Sequence, residues 1–485
     1  MKKIIFFILL IPLFLSFYSC RTNTVEPLEN TTDDSAQLDK NAHNIGINIV
    51  LKTAVTDNVL KQLKAYGTVL DVIPEIHAVR LLGKEDIIQN IQSLHFVRGA
   101  NADAERDGSP VDAVEAPTFA GGVSTWNLDV INVTDPLPPP PPLPPPPFPF
   151  RVVAETGNGV IVIILDTGLL DSWRQYFPQE RILTEYAKSF SGGGALGIGN
   201  VAEQPNKWEH DQSSHGTHVT STILGYKFSV SGFPPHINGV APLATVVPVK
   251  VLNQNGSGWS SVIAEGILYA ASLKEGPLSN HPIVVNMSLS GSRLDNMEQA
   301  AIDYAISKGV IIVASAGNRG DNGMGYPGAY SPVISVAASG WTGEWYRSQW
   351  WNTLNDPDPN VLDFYYITDF SSRELPGQDL DVAAPGSWIL GPYQTNSGHI
   401  SYYFLGGTSM AAPHVTGIVA LMLEKNPSLN VGQAEEILEN TAWPLGAGSR
   451  NVLNPNGSTR TVTWDVNATG AGIVNAQAAL GAIVL

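Results

Sequence analysis

The sequence predicts an α/β protein: a doubly wound parallel sheet with helices on both faces, preceded by a small ferredoxin-like α+β unit. Three observations predict it. The apolar runs "GVIVIILD", "ATVVPVKVL", "PIVVNMSLS", "GVIIVASAG" and "PVISVAAS" are rich in Val and Ile and do not alternate, as suits strands buried on both faces of a parallel sheet. Segments with helical spacing, such as "SSVIAEGILYAASLKEG" and "NMEQAAIDYAISKG", stand between several of them. On a smaller scale, residues 45–98 run strand, helix, two strands, helix, strand.

Composition supports a sizeable core: 43% of the 485 residues are hydrophobic and only 15% are charged. A net charge of -17 excludes nucleic acid as a partner, because phosphate binding needs a basic surface. The one cysteine, Cys20, excludes an intramolecular disulfide and a thiol nucleophile or ligand in the folded part.

In chain order, residues 1–20, "MKKIIFFILLIPLFLSFYSC", have the charge order and length of a signal peptide. A cysteine at the cleavage point resembles a bacterial lipoprotein signal, which implies a lipid on Cys20 and a membrane attachment before processing. An ordinary signal peptide with an incidental cysteine is the alternative, and either reading places the protein outside the cytoplasm, lipid-anchored or secreted. Residues 21–44 are polar and read as a flexible tether. After the unit at 45–98, the polar stretch 99–125 reads as a structureless linker open to proteolysis. Residues 126–485 form the large domain, with a polyproline insert at 136–150 that reads as a stiff PPII spacer.

In a doubly wound sheet the reactive groups gather beyond the carboxyl ends of the strands. Asp166 closes "GVIVIILD", an expensive place for an acid without a dedicated partner. His215 starts the helical run after "SSHGTHV", Asn318 closes "GVIIVASAGN", and Ser409 opens a helix after Gly406 and Gly407. These side chains make a coherent chemical set. A serine hydroxyl needs a base, a neutral imidazole can serve near pH 7, and a carboxylate on its other nitrogen fixes its tautomer. An amide side chain and a helix N-terminal N–H can then hold an oxyanion. Pro413 is expected in the first turn of the serine helix, where no amide hydrogen is missed.

The blocks "ILDTG", "SHGTHV", "ASAGN" and "GGTSMAAPHV", in that order, resemble the signatures of the subtilisin-like serine proteases, or subtilases. The order Asp, His, Ser differs from that of the α/β-hydrolases and of chymotrypsin-like enzymes. The resemblance implies that Asp166 orients, His215 is the general base, Ser409 attacks and Asn318 lines the oxyanion hole. It covers about residues 120–485. It further implies that Ser288, Leu289, Ser290 and Gly291 line one edge of a polypeptide substrate and Gly256, Ser257 and Gly258 the other. The unit at 45–98 is similar to the family's inhibitory propeptide, making it an intramolecular partner, and 99–125 becomes the maturation region. No cofactor is implied for the chemistry.

Several features invite blander readings. His218 and His414 are read as structural, and "GGGALG" at 192–197 as a loop, since it does not follow an apolar strand. Asp211 is read as lining the cleft or as a solvated loop charge. Structural calcium is possible at an unknown site; the carboxylates of "NDPDPN" are oxygen donors, though a turn explains them as well. The insert 341–369 holds Trp341, Trp345, Trp350 and Trp351 and is read as packing against the domain. Two function classes remain: an extracytoplasmic serine endopeptidase, and a catalytically dead binding protein on the same fold. The intact set Asp166, His215, Asn318 and Ser409 favours the enzyme.

Overall fold

The described part of the chain comprises residues 44–116, 126–134, 151–190, 197–228, 236–345, 362–395 and 397–484 of a computed structural model. The signal segment with Cys20, the tether to residue 43, the polyproline tract, residues 192–196 of the glycine-rich loop and "NDPDPN" lie outside the described residues.

The first folded unit runs β1 (Ile45–Leu51), α1 (Asp57–Leu63), β2 (Thr68–Ile73), β3 (Ala78–Gly83), α2 (Ile88–Gln92) and β4 (Val97–Ala102). Its strands pair antiparallel in the order β2-β3-β1-β4, the ferredoxin-like arrangement. Strand alternation gives the sheet two working faces. Ile47, Ile49 and Leu51 pack under α1 and α2 with Leu63, Val79 and Ile91. Val50, Ile73 and Ala78 instead join a core of the large domain.

The polar stretch after residue 98 is not the structureless linker its composition suggests. β4 extends to Ala102, and β5 (Glu105–Asp107) and β6 (Asp112–Glu115) follow. Here polarity reflects buried pairing, not solvation. The Asp103 carboxylate accepts from Ser260 Oγ at 2.9 Å and from the Ser261 N–H at 2.9 Å, and Arg106 is buried against Glu298.

The large domain contains α3 (Trp126–Asp129), β7 (Ile161–Asp166), β8 (Lys188–Ser189), α4 (His215–Leu224), β9 (Gly225–Lys227), β10 (His236–Asn238), β11 (Thr245–Lys250), β12 (Ser257–Trp259), α5 (Ser260–Glu275), β13 (Ile283–Met287), α6 (Asn296–Ser307), β14 (Val310–Ser315) and β15 (Ile334–Trp341). It continues through β16 (Tyr365–Ile367), β17 (Val382–Pro385), β18 (Ile389–Gln394), β19 (Ile400–Gly406), α7 (Thr408–Lys425) and α8 (Val431–Thr441), then closes with the hairpin β20 (Gly448–Leu453) and β21 (Thr459–Trp464) and with α9 (Ala476–Ala482). The central sheet has the order β16-β15-β14-β13-β7-β11-β8, with β17 beside β15. Its pairs are parallel apart from β15 with β16.

All six residues of β7 are buried, which explains its unbroken apolar run. Val162 and Ile164 face a core shared with Val219 of α4 and Val415 and Ile418 of α7. Ile161, Ile163 and Leu165 face the opposite core, with Val262 and Ile267 of α5 and Met297 of α6. Because β11 and β13 flank β7 on opposite sides, the order reverses there, and such a reversal opens a crevice beyond the strand ends.

Two inserts behave differently. Thr134 and Arg151, which flank the polyproline tract, form an antiparallel bridge, and the Val152 N–H donates to Val133 O at 3.1 Å. The tract therefore leaves and re-enters the domain at one place and does not space two bodies apart. Composition fixes a local conformation and says nothing of where the ends meet. The described ends of the aromatic insert are packed: Trp341, Tyr365 and Tyr366 are buried, and the Tyr366 hydroxyl donates to Glu344 at 3.0 Å.

Candidate active site

Asp166 is the last residue of β7, where its Oδ1 accepts from the Thr167 N–H at 2.6 Å. His215 is the first residue of α4, and Ser214 before it takes a left-handed conformation with φ of 61°. That bend aims the imidazole at the strand end. His215 Nδ1 lies 2.8 Å from Asp166 Oδ1 and 3.0 Å from Oδ2, with both side chains fully buried. The contact fixes the proton on Nδ1 and leaves Nε2, which has no protein partner, as the free base. Burial alone would depress the imidazole pKa; the charge and hydrogen bond of Asp166, helped by Asp211 and Asp107, raise it overall.

Ser409 lies in the first turn of α7, buried, and its hydroxyl donates to Ser288 O at 3.1 Å. The hydroxyl is thus bound to the backbone at Ser288, and His215 Nε2 is left without a hydrogen-bond partner. Contrary to expectation, Pro413 lies past the first turn, inside the helix, because α7 begins at Thr408. A proline there leaves the Ser409 carbonyl without its intrahelical donor. The Ser288 hydroxyl takes that place at 2.7 Å. Asn318 follows β14; its Oδ1 accepts from the Thr408 N–H at 2.9 Å and from Thr408 Oγ1 at 2.8 Å. The amide is thereby oriented with Nδ2 toward the start of α7, and a Cβ placed on Gly407 would lie 3.7 Å from it.

The two edges expected to hold substrate hold the chain's own segment. β5 pairs antiparallel with β12, setting Asp107 opposite Ser257 and Arg106 opposite Gly258. On its other side Asp107 exchanges both backbone hydrogen bonds with Ser290 at 2.9 Å. The Gly108 N–H donates to Gly256 O at 2.9 Å, and a Cβ on Gly108 would lie 3.5 Å from His215 Cε1. Beyond it, the Val111 N–H donates to Gly406 O at 2.8 Å, and β6 continues antiparallel to β19. Residues 108–110 therefore cross the gap between His215 and the turn that carries Ser409.

Asp211 is not a solvated loop charge, although it lines a cleft with Leu170, His210 and Gln394. It is buried, its Oδ2 accepts from Thr167 Oγ1 at 2.6 Å, and Oδ1 accepts from the Ser213 N–H at 2.9 Å. Thr167 Oγ1 in turn accepts from the Gly216 N–H at 2.9 Å, tying this acid to the start of α4. Burial pushes Asp211 up to about 6 against the opposing pull of Lys250. His218 and His414 are buried and bound to the carbonyls of Ile389 and Met410, and burial drives them down to about 3 and about 4. Sequence reasoning missed Arg106, Glu298 and Asp103. The one signal available was a dense run of charges at 103–107 that no helical face explains.

Asp379, Asp381 and Glu435 bring carboxylate oxygens within 4.8 Å of one another. Asp381 is buried, its Oδ1 has no hydrogen-bond partner, and burial pushes it up to about 8. A calcium ion suits such a set of hard oxygen donors. The group contains none of the candidate catalytic residues, so a cation there would serve stability and not chemistry. Among the described residues no helix is long and apolar enough to cross a membrane.

A model of the subtilase family matches residues 157–472. The thermostable alkaline protease of Halalkalibacterium halodurans is 32% identical over 293 residues, which cover 60% of this chain and 64% of that protein. Subtilisin E of Bacillus subtilis is 34% identical over 295 residues, covering 60% of this chain and 62% of that protein. This chain therefore spans less than two thirds of the length of those two relatives. Subtilisin Savinase of Lederbergia lenta is 32% identical over 324 residues, 67% of this chain and 91% of that protein. Among solved structures, fervidolysin from Fervidobacterium pennivorans, a keratinolytic enzyme related to subtilisin, shares the fold with a TM-score of 0.59 at 24% identity, covering 91% of this chain and 61% of that one. With the ordered strand-end residues, the two-faced sheet and the family match over residues 157–472, this chain belongs to the subtilase family.

Proposed function

We propose that the protein is a serine endopeptidase that hydrolyses peptide bonds through an acyl-enzyme. The observation that carries this reading is the extended segment 105–111, held between β12 and Ser290 and laid across His215 and the Ser409 turn as a substrate would be. In the proposed reaction Ser409 Oγ turns from Ser288 O and attacks the carbonyl carbon while its proton passes to His215 Nε2. Asp166 holds the imidazole and stabilises its charge. The oxyanion is met by Asn318 Nδ2 and the Ser409 N–H, donors in place before the charge develops. His215 returns the proton to the departing amine, and water repeats the sequence on the acyl-enzyme.

In the same reading residues 1–20 direct the chain out of the cytoplasm, with Cys20 as lipid attachment, and residues 45–98 act as the inhibitory propeptide. Maturation cuts within 99–125, the region that includes the residues crossing the cleft. The lipid then leaves with the propeptide. A fluorophosphonate probe tests the function directly: labelling confined to Ser409 is expected once the cleft segment is released. A folded, processed protein that takes no label and cleaves no peptide would instead be a binding protein on a subtilase scaffold. For maturation, Ser409→Ala produced without other proteases is expected to stay full length, and appearance of the shorter form would exclude self-cutting.

A further inference from the structure

Arg106 is the feature that inhibition alone does not explain. It lies in the cleft segment with its guanidinium fully buried in the large domain. Its Nε donates to Glu298 Oε1 at 3.0 Å and its Nη2 to Glu298 Oε2, a two-point contact. Nη2 also donates to Arg293 O at 3.1 Å, and Nη1 to Glu105 O at 2.9 Å. Every acceptor except the last belongs to the large domain. Glu298 is fixed in the first turn of α6, where its own N–H donates to the Asp295 cap at 3.0 Å. Gly291 completes the fit: a Cβ there would lie 2.6 Å from Arg106 Nη1 and 2.1 Å from Glu105 O, so any side chain would close the site.

The register gives the site its place in the cleft. Asp107 is paired with Ser290, so two residues further along an antiparallel pair Ser109 falls opposite Ser288, whose carbonyl holds the Ser409 hydroxyl. Val111 is already bound to Gly406 on the far side. The peptide bond presented to Ser409 thus follows Ser109, and Arg106 is the fourth residue on its N-terminal side. Release of the segment would leave Glu298, the Arg293 carbonyl and the space beside Gly291 free to receive another peptide.

We propose that Glu298 forms the floor of a binding subsite that selects arginine at the fourth residue before the cleaved bond, making the substrates polypeptides with arginine at that place. The inference rests on the peptidase reading above. Arginine is selected over lysine because the planar fork satisfies both carboxylate oxygens and a carbonyl together, whereas an ammonium is a single point of charge. An apolar or acidic residue leaves the carboxylate unpaired or repelled.

The test is a set of otherwise identical peptides carrying Arg, Lys, Ala or Glu at that position, incubated with the processed protein, with the cut located by mass spectrometry. Expected is a kcat/KM order of Arg, Lys, Ala, Glu, with Arg about 10- to 100-fold above Ala. The Arg-to-Ala ratio is expected to fall toward one in Glu298→Gln. Equal rates for Arg and Ala in the wild type would overturn the subsite while the peptidase reading stands. An Arg preference undiminished in Glu298→Gln would overturn the assignment to Glu298. No hydrolysis of any peptide, with no probe label on Ser409, would overturn the peptidase reading and the subsite with it. The wild-type ranking needs no variant and decides the proposal even where Glu298→Gln fails to fold.

Discussion

Two buried acid–base pairs lie along the same extended segment, and they answer to different physics. Asp166 and His215 both belong to the large domain and are joined at 2.8 Å. Glu298 belongs to that domain too, but its partner Arg106 sits on the segment in the cleft. The first pair persists whatever peptide is bound, so it can keep the proton-accepting nitrogen oriented throughout. The second exists only while a suitable cation occupies the cleft. In the proposed reading, burial of a charge serves catalysis in one place and recognition in the other, and the covalent address of the partner separates the two. His218 sharpens the point. It lies on the same helix as His215 and is as deeply buried, yet with a backbone carbonyl as partner it falls to about 3 and is useless as a base.

The permanent pair is tested most severely at its business end. Ser409→Ala and His215→Ala are each expected to lower kcat by roughly 10⁶, a magnitude carried over from subtilisin. Near-normal turnover in Ser409→Ala, measured on any peptide the wild type cleaves, would break the catalytic half of the comparison.

The exchangeable pair predicts a stability effect instead. In a full-length Ser409→Ala background, Arg106→Ala leaves the Glu298 carboxylate buried without its cation, which costs about 3–5 kcal/mol when the site stays dry. The expected readouts are a lower unfolding midpoint and earlier proteolysis of 105–116. Arg106→Lys is expected to fall between the two. An unchanged midpoint in Arg106→Ala would mean that the pair adds nothing to docking of the segment. Below these effects comes Asn318→Ala, expected to lower kcat by about 10²–10³ with little change in KM, again a magnitude carried over from subtilisin.

The sequence made these two pairs legible to very different degrees. Asp166 and His215 stand at the ends of apolar elements, where a polar residue needs an explanation, and their neighbours carry ordered motifs. The parallel sheet was legible for the same reason, since strands buried on both faces lose their alternation. Arg106 and Glu298 are far apart in sequence, one in a stretch whose polarity mimics a linker and the other at an ordinary helical position. Polar composition reports a demand for partners and is silent on whether those are water or another domain. The same limit applies to Pro413, whose place in α7 depends on where the helix starts, and to the polyproline tract, whose flanks meet.

The smallest expected effect separates the pairs by titration. Catalysis in the proposed mechanism needs neutral His215, so kcat/KM falls as pH drops through its pKa. That pKa is held up by Asp166 and, more weakly, by Asp211, a buried acid tied to the histidine helix through Thr167. Removing the Asp211 charge disfavours the imidazolium, so the pKa falls and the acid limb moves to lower pH. Asp211→Asn keeps an acceptor for the Thr167 hydroxyl while removing the charge, and the expected displacement is roughly half a pH unit. The shift is kept small because Asp166, in direct contact with the imidazole, supplies the larger part of the charge that raises its pKa. Two measurements check it: the pH profile of kcat/KM on one peptide and direct titration of the His215 imidazole by NMR. Glu298→Gln removes a carboxylate that is not among the charges acting on His215, so it is expected to leave the limb where it is. A limb that moves to higher pH in Asp211→Asn, or that moves equally in Glu298→Gln, would show that the field at the imidazole is not the local one that Asp166, Asp211 and their geometry describe.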